Sequence, residues 1–207
     1  MKTKTAWHNT DTLPTSMLNA GFRPLTESDH FKSLAKCIEN CEGKTIVDIG
    51  CGLAEPFTAF AHLDYTGVDL PHMIEDVAKK KNPKAKYISI DADETDFEFV
   101  KDFDIVLMNS FLSEMPTWYL TLNKILFHAT GDIVIHRQEV CDQPSHLAEY
   151  KTYANLTTLK SVINKNELHN IFQLNDFRVI LEEESFDHPT NQKTYLVRFG
   201  YVLYSAK

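Results

Sequence analysis

A short apolar strand runs into a glycine turn, Thr45-Ile46-Val47-Asp48-Ile49-Gly50-Cys51-Gly52, and a second strand, Tyr65-Thr66-Gly67-Val68-Asp69-Leu70, follows it and ends in an acid. The paired glycines let the backbone turn sharply and approach a ligand, with the N–H groups of the next helix start free to meet it. An acid about 20 residues beyond such a turn stands where nucleotide-binding βαβ units place their ribose-hydroxyl acceptor. The turn lacks the last glycine of G-x-G-x-x-G, because Glu55 occupies that position.

Hydrophobic periodicity carries the alternation through the chain. Phe31, Leu34, Ala35 and Ile38 follow helical spacing behind Thr26 and Asp29 as cap residues, which predicts a helix ending near Gly43. Pro56 suits the first turn of a helix whose buried stripe is Phe57, Phe60 and Ala61. Pro71 to Lys81 reads as the next helix, Tyr87 to Ile90 as a third strand, Asp96 to Lys101 as a short helix and Phe103 to Met108 as a near-continuously apolar fourth strand of a parallel sheet. Trp118, Leu122, Ile125 and Ala129 give a helix stopped by Gly131, Ile133 to Ile135 a fifth strand, and Val140 to Ala154 an irregular polar stretch. After a helix around Glu167 to Phe172, two strands, Arg178 to Leu181 and Tyr195 to Tyr204, follow with only a loop between them and should pair antiparallel. The expected fold is α/β: a doubly wound, seven-stranded, mostly parallel sheet with helices on both faces and a C-terminal antiparallel β-hairpin.

At 207 residues and 43% hydrophobic content, the chain is expected to bury one core in a single domain, 1–207. Its parts are an irregular N-terminal arm (1–25), a leading helix (26–43), a ligand-binding core (44–137), a substrate-side insertion (138–163), and a last helix with the hairpin (164–207). A net charge of −8 argues against holding nucleic acid by phosphate neutralisation and favours a small or neutral partner. No apolar run reaches the length of a membrane span, and the Met1 to Thr5 start has no signal-peptide core behind it, so the cytoplasm is expected. The four cysteines, Cys37, Cys41, Cys51 and Cys141, lack metal-site or disulfide-framework spacing and read as free thiols.

The Asp48, Gly50-Cys51-Gly52 and Asp69 pattern resembles the class I (Rossmann-like) S-adenosylmethionine-dependent methyltransferases. Their first motif is an acid, then G-x-G and commonly a third small residue, which here is Ala54. Alanine permits close approach at negative φ and is strained at positive φ. The resemblance covers about residues 30–207 and implies an enzyme that uses S-adenosylmethionine and leaves S-adenosylhomocysteine. It implies that Asp48 and the Gly50-Cys51-Gly52 backbone face the methionine part, that Asp69 accepts both ribose hydroxyls and that Leu70 packs on adenine. Asp91 and the Ala92 backbone would hold the adenine edge, with Asn109 and Ser110 under the sulfonium.

Methyl transfer needs no acid for its leaving group, whereas a hydroxyl acceptor usually needs a base. His136, just past the fifth strand, is the first candidate base, with Arg137 as an anchor for an acidic substrate. Glu114 and His146 come next as catalytic candidates, although Glu114 also reads as a cap for the helix after Pro116. The stretch Gln138 to Asn155, with Tyr150 and Tyr153 as substrate residues, stands where the family commonly builds its acceptor pocket. Asn109-Ser110-Phe111-Leu112 is not the Pro-Pro-aromatic tetrapeptide that holds a flipped base, and no strand-end carboxylates suit a magnesium site. The reading is therefore O- or N-methylation of a small molecule, with no metal, no nucleic acid and no membrane, by a monomer or homodimer. Two alternatives remain: a non-catalytic binding or partner subunit of the same fold, and an NAD(P)-dependent oxidoreductase.

Overall fold

The computed structural model describes residues 5–8, 10–152, 154–187 and 189–200. Its nine strands form one sheet: β1 (Thr45–Ile49), β2 (Asp64–Asp69), β3 (Lys86–Ser89), β4 (Ile105–Asn109), β5 (Asp132–Cys141), β6 (His146–Lys151), β7 (Thr157–Asn164), β8 (Phe177–Glu184) and β9 (Gln192–Phe199). The order is β3-β2-β1-β4-β5-β7-β6, with β9 antiparallel to β5 and β8 antiparallel to β9. The strands from β3 to β5 pair in parallel. The chain steps outward from β1 to β2 and β3, then returns to the other side of β1 for β4. The strand order therefore reverses at the β1/β4 boundary, the place where open α/β sheets bind their ligands.

Because successive strand residues face opposite sides, the apolar runs of β1, β4 and β5 feed two cores. Val47, Val106 and Ile133 join Trp118, Leu122 and Ile125 of α6 (Trp118–His128) and Leu168 and Phe172 of α7 (Lys165–Leu174). Ile46, Ile105 and Val134 face the other way, onto Leu34, Cys37 and Ile38 of α2 (Phe31–Glu39) and onto Ile74 and Ala78. A helix on each face of a mostly parallel sheet, closed by an antiparallel hairpin, is the architecture expected from the sequence.

Several elements differ from the sequence reading. The 138–163 stretch is not an irregular insertion: β5 extends to Cys141, and β6 and β7 form an antiparallel hairpin, which brings the sheet to nine strands rather than seven. His146 to Lys151 carries no apolar alternation because β6 is an edge strand with both faces partly exposed. The arm holds a helix, α1 (Leu13–Asn19), whose Leu13 is fully buried against Leu53, Met73 and Val77. Thr26 and Asp29 do not cap α2, whose N-terminal flank is His30 with no side-chain cap bond. The helix after β1, α3 (Pro56–Ala59), is a single turn, and Ala61 lies beyond it, exposed. From Pro71 to Lys81 the chain is helical throughout, α4 (Pro71–Met73) and α5 (Lys79–Lys81) flanking a widened π-type turn at Ile74–Ala78.

Gly131 is not the stop of α6, which ends at His128 with Ala129 as its flank. Its constraint is space: the Asp104 carbonyl oxygen accepts from Asp132 N at 2.8 Å and crosses directly over Gly131. The Asp104 carboxylate meanwhile accepts from Lys44 N, Thr45 N and the Thr45 hydroxyl at 2.8–2.9 Å, so one residue aligns the starts of β1, β4 and β5.

Candidate functional site

Hydrogen bonds hold the glycine turn in place before any ligand is considered. Gly50 N and Cys51 N both donate to Val68 O, at 2.8 and 3.0 Å, which ties the turn to the end of β2. Gly50 has φ +75°, and a Cβ there would lie 2.6 Å from the Phe111 ring. Asp69 holds the far side: its Oδ2 accepts from Gly52 N at 2.8 Å and its Oδ1 from Leu70 N at 2.7 Å. Behind the turn, the buried Asn82 amide donates to Leu53 O and Ala54 O at 2.9 and 3.0 Å. Sequence patterning gives no sign of this support.

Ala54 has φ +53° and is fully buried. The left-handed conformation costs alanine about 1–2 kcal/mol, while a glycine there would lose a buried methyl worth about 0.8 kcal/mol and add about 0.4–1 kcal/mol of unfolded-state entropy. Ala54→Gly is therefore expected to leave urea stability within about 1 kcal/mol of wild type, and a larger change in either direction would contradict this balance.

The turn opens onto a cavity of about 660 Å³, in the size range of small-molecule sites. Gly50, Gly52, Asp69, Leu70, Asp91 and Ala92 line it, joined by Asn109 and Ser110 at the end of β4. Trp7, His30, Glu114, Arg137, Tyr150 and Lys160 line it as well. Seven carboxylates line it (Asp29, Glu55, Asp69, Asp91, Asp93, Glu114 and Glu139) against three cationic side chains (Arg23, Arg137 and Lys160) among the described residues, a balance that suits a cationic ligand. Burial raises the Asp69 carboxyl, opposed by the amides of Gly52 and Leu70.

Three residues expected to face the ligand do not reach the cavity lining. Cys51 is buried behind the turn, its Sγ packed on Gly67. His146 is exposed on β6 and borders a separate cleft with Trp118 and Tyr119. Asp48 alternates to the opposite face of β1, where Oδ2 accepts from the Tyr65 hydroxyl at 2.7 Å and Oδ1 has no partner among the described residues. Tyr153 lies outside the described residues.

Asp48 has a consequence for stability. Burial pushes its carboxyl up to about 7; the Tyr65 hydrogen bond opposes the rise and the Asp69 charge adds to it. The folded value lies above the unfolded value of about 4, so the native state binds the extra proton. This contribution is present in full below the unfolded value and is lost as pH rises through about 7. Asp48→Asn is expected to flatten the fall in urea stability between pH 4 and 7.5 by on the order of a few kcal/mol. Superimposable pH profiles would show that Asp48 does not titrate this way.

His136 does not reach the cavity either. It is 0% exposed, with Nδ1 2.8 Å from the Thr194 hydroxyl and Nε2 3.0 Å from Nδ1 of His30. Burial lowers its pKa well below the usual histidine value, helped by His30 and Arg137. Arg137, by contrast, lines the cavity: β5 breaks register against β9 between Ile135 and Gln138, and Arg137 sits in that bulge with φ +56°.

Glu114 is no helix cap. Its Oε2 accepts from Trp7 Nε1 at 2.6 Å and from the Tyr150 hydroxyl, so it ties the N-terminal arm to the β6–β7 hairpin across the cavity. Burial raises its carboxyl, opposed by the Tyr150 and Trp7 hydrogen bonds. Trp7 and His30 belong to this lining and were missed in the sequence, where neither stands in a motif.

Residues 47–126 match a family model described as a methyltransferase domain. No curated protein sequence matches the chain. Among solved structures, an S-adenosylmethionine-dependent methyltransferase from Clostridium acetobutylicum superposes with a TM-score of 0.63 at 12% identity, covering 88% of this chain and 94% of its own. The amino pentose methyltransferase CalS10 of Micromonospora echinaspora, involved in calicheamicin biosynthesis, gives 0.61 at 14% identity, covering 87% and 95%. The glycopeptide N-methyltransferase MtfA gives 0.60 at 9% identity, covering 84% and 95%.

Proposed function

We propose that this chain, a class I Rossmann-like S-adenosylmethionine-dependent methyltransferase by its fold and its matched domain, moves the methyl group to an oxygen or nitrogen of a small-molecule acceptor. The observation that carries the reading is the single cavity that adjoins both the glycine turn and a separate set of polar side chains, with room for two small partners. The residues present fit the cofactor. Each Asp69 oxygen already holds one amide and keeps a further lone pair, which suits a vicinal ribose diol. Asn109 lines the cavity, and its buried Oδ1 has no partner among the described residues, which suits an ammonium or sulfonium neighbour. When bound, S-adenosylmethionine supplies an electrophilic methyl on a cationic sulfur.

The chain's own residues then do four things. Asp69 would hold the ribose, Leu70 would pack on the base, and Asp91 with the Ala92 backbone would take its edge. Asn109 and Ser110 would face the sulfonium, and the carboxylates of the lining would offset its positive charge. Trp7, held by Glu114, covers the site and excludes water. Arg137, Tyr150 and Lys160 orient the acceptor. A site that is acidic on balance favours a small, uncharged or basic acceptor over a nucleic acid. Among the described residues no helix is long and apolar enough to cross a membrane.

The test is transfer of labelled methyl from S-adenosylmethionine into a small-molecule extract with macromolecules removed. Label in low-mass products is expected. Label found only when protein or RNA is added back would contradict the small-molecule assignment.

A further inference from the structure

The buried contacts behind the cavity fix a proton pattern. The Ser33 hydroxyl lies 3.0 Å from the carbonyls of both His30 and Ser185, so its one hydrogen is committed to them and it can only accept from Thr194, 3.2 Å away. Thr194 therefore spends its hydrogen on Ser33 and can only accept, from the Ser185 hydroxyl at 3.0 Å and from His136 Nδ1 at 2.8 Å. Neutral His136 then carries its proton on Nδ1 and presents Nε2 as an acceptor. Across the 3.0 Å contact, His30 must donate from its own Nδ1. Ser28 agrees: its hydroxyl is used on Leu25 O at 2.6 Å, so towards His30 Nδ1 it too can only accept. This is the one assignment that satisfies every contact, and it leaves the lone pair of His30 on Nε2. That atom receives no hydrogen bond from the described residues, and His30 is one of the residues that line the cavity.

We propose, building on the methyltransferase reading above, that His30 is the catalytic base for a hydroxyl acceptor, with His136 and Thr194 as positioning residues that hold its Nε2 lone pair towards the cavity. The acceptor oxygen attacks the methyl carbon, the carbon–sulfur bond breaks with its electron pair going to sulfur, and the acceptor proton passes to His30 Nε2 and then to water. The His30 Nδ1–H stays bonded to His136 throughout. Arg137, Asp29 and His136 are the titratable or charged groups around the ring. Burial, helped by Arg137 and opposed by Asp29, brings the His30 pKa down to about 4. Such an imidazole is neutral at physiological pH but only weakly basic. It can take a proton from an oxygen that becomes strongly acidic as it is methylated, and it is a poor match for a methylated amine, which holds its proton tightly.

Long-range proton–nitrogen NMR of the imidazoles tests the tautomer without any acceptor. At pH 7 His30 is expected to show a protonated Nδ1 and a bare Nε2, and Thr194→Val, which deletes the acceptor for His136, is expected to turn His30 into a mixture of tautomers. A proton on Nε2 in the wild type, or an unchanged His30 in the variant, would overturn the relay. With labelled S-adenosylmethionine and the small-molecule extract, His30→Ala is expected to lose about 100-fold of transfer while cofactor affinity measured by calorimetry stays within about threefold. Mass spectrometry should find the wild-type product to be a methyl ether. Undiminished transfer by His30→Ala, or an N-methyl product, would overturn the base assignment and leave the methyltransferase reading standing. No cofactor binding by the wild type would overturn both.

Discussion

Replacing Asp69 by alanine is expected to weaken S-adenosylmethionine binding by at least about 100-fold. Hydrogen bonds to a charged group contribute about 1.5–3 kcal/mol each, and two ribose hydroxyls lose their acceptor together, against 1.4 kcal/mol per tenfold. The same change frees Gly52 N and Leu70 N, both held by this carboxylate, so the glycine turn loses its anchor before any ligand arrives. Asp69→Asn separates the account from a simple charge effect. Asparagine offers one accepting oxygen and one donating amide, so one of the two backbone N–H groups would face another donor. Its affinity should fall nearly as far as that of the alanine variant. An asparagine variant that binds within threefold of wild type would show that the turn is not organised by this residue.

The largest stability effect is expected at Gly131. A Cβ there would lie 2.0 Å from the Asp104 carbonyl oxygen and 2.6 Å from its carbon, and backbone atoms cannot rotate away as a side chain could. To make room, β4 would have to move against β5, which the Asp132 N to Asp104 O bond and the parallel ladder resist. Gly131→Ala is expected to cost about 3 kcal/mol or more, and so to lower Tm by about 6–12 °C in a chain of this size. Gly200, which has no neighbour among the described residues within 4 Å of an added Cβ, is the control: Gly200→Ala should change stability by about 0.5 kcal/mol or less. Equal behaviour of the two variants would contradict the close strand starts described for the sheet.

The central sheet was legible in the sequence because its strands are buried on both faces. Thr45–Ile49 and Ile105–Asn109 read as largely apolar runs, and the glycine turn punctuated the first. The β6–β7 hairpin was not, because an edge strand half open to solvent needs no apolar alternation to form. At the site, position at a strand end was readable and facing was not. Asp48 and Asp69 both end strands beside the turn, yet one points to the Tyr65 side of the sheet and the other to the cavity. His136 and Arg137 are adjacent, and the bulge in β5 decides which of them reaches the ligand, a backbone irregularity that leaves no mark in composition. Trp7 and His30 reach the cavity from more than 100 residues away in sequence from their partners Glu114 and His136, a distance over which no local pattern operates.

The account rests on the cavity beside the glycine turn being a site for S-adenosylmethionine. Calorimetric titration of the intact protein with S-adenosylmethionine and, separately, with NADH tests that most directly. Micromolar, one-to-one binding of S-adenosylmethionine with no heat from NADH is the expected result. Binding of NADH alone, or of neither, would contradict it.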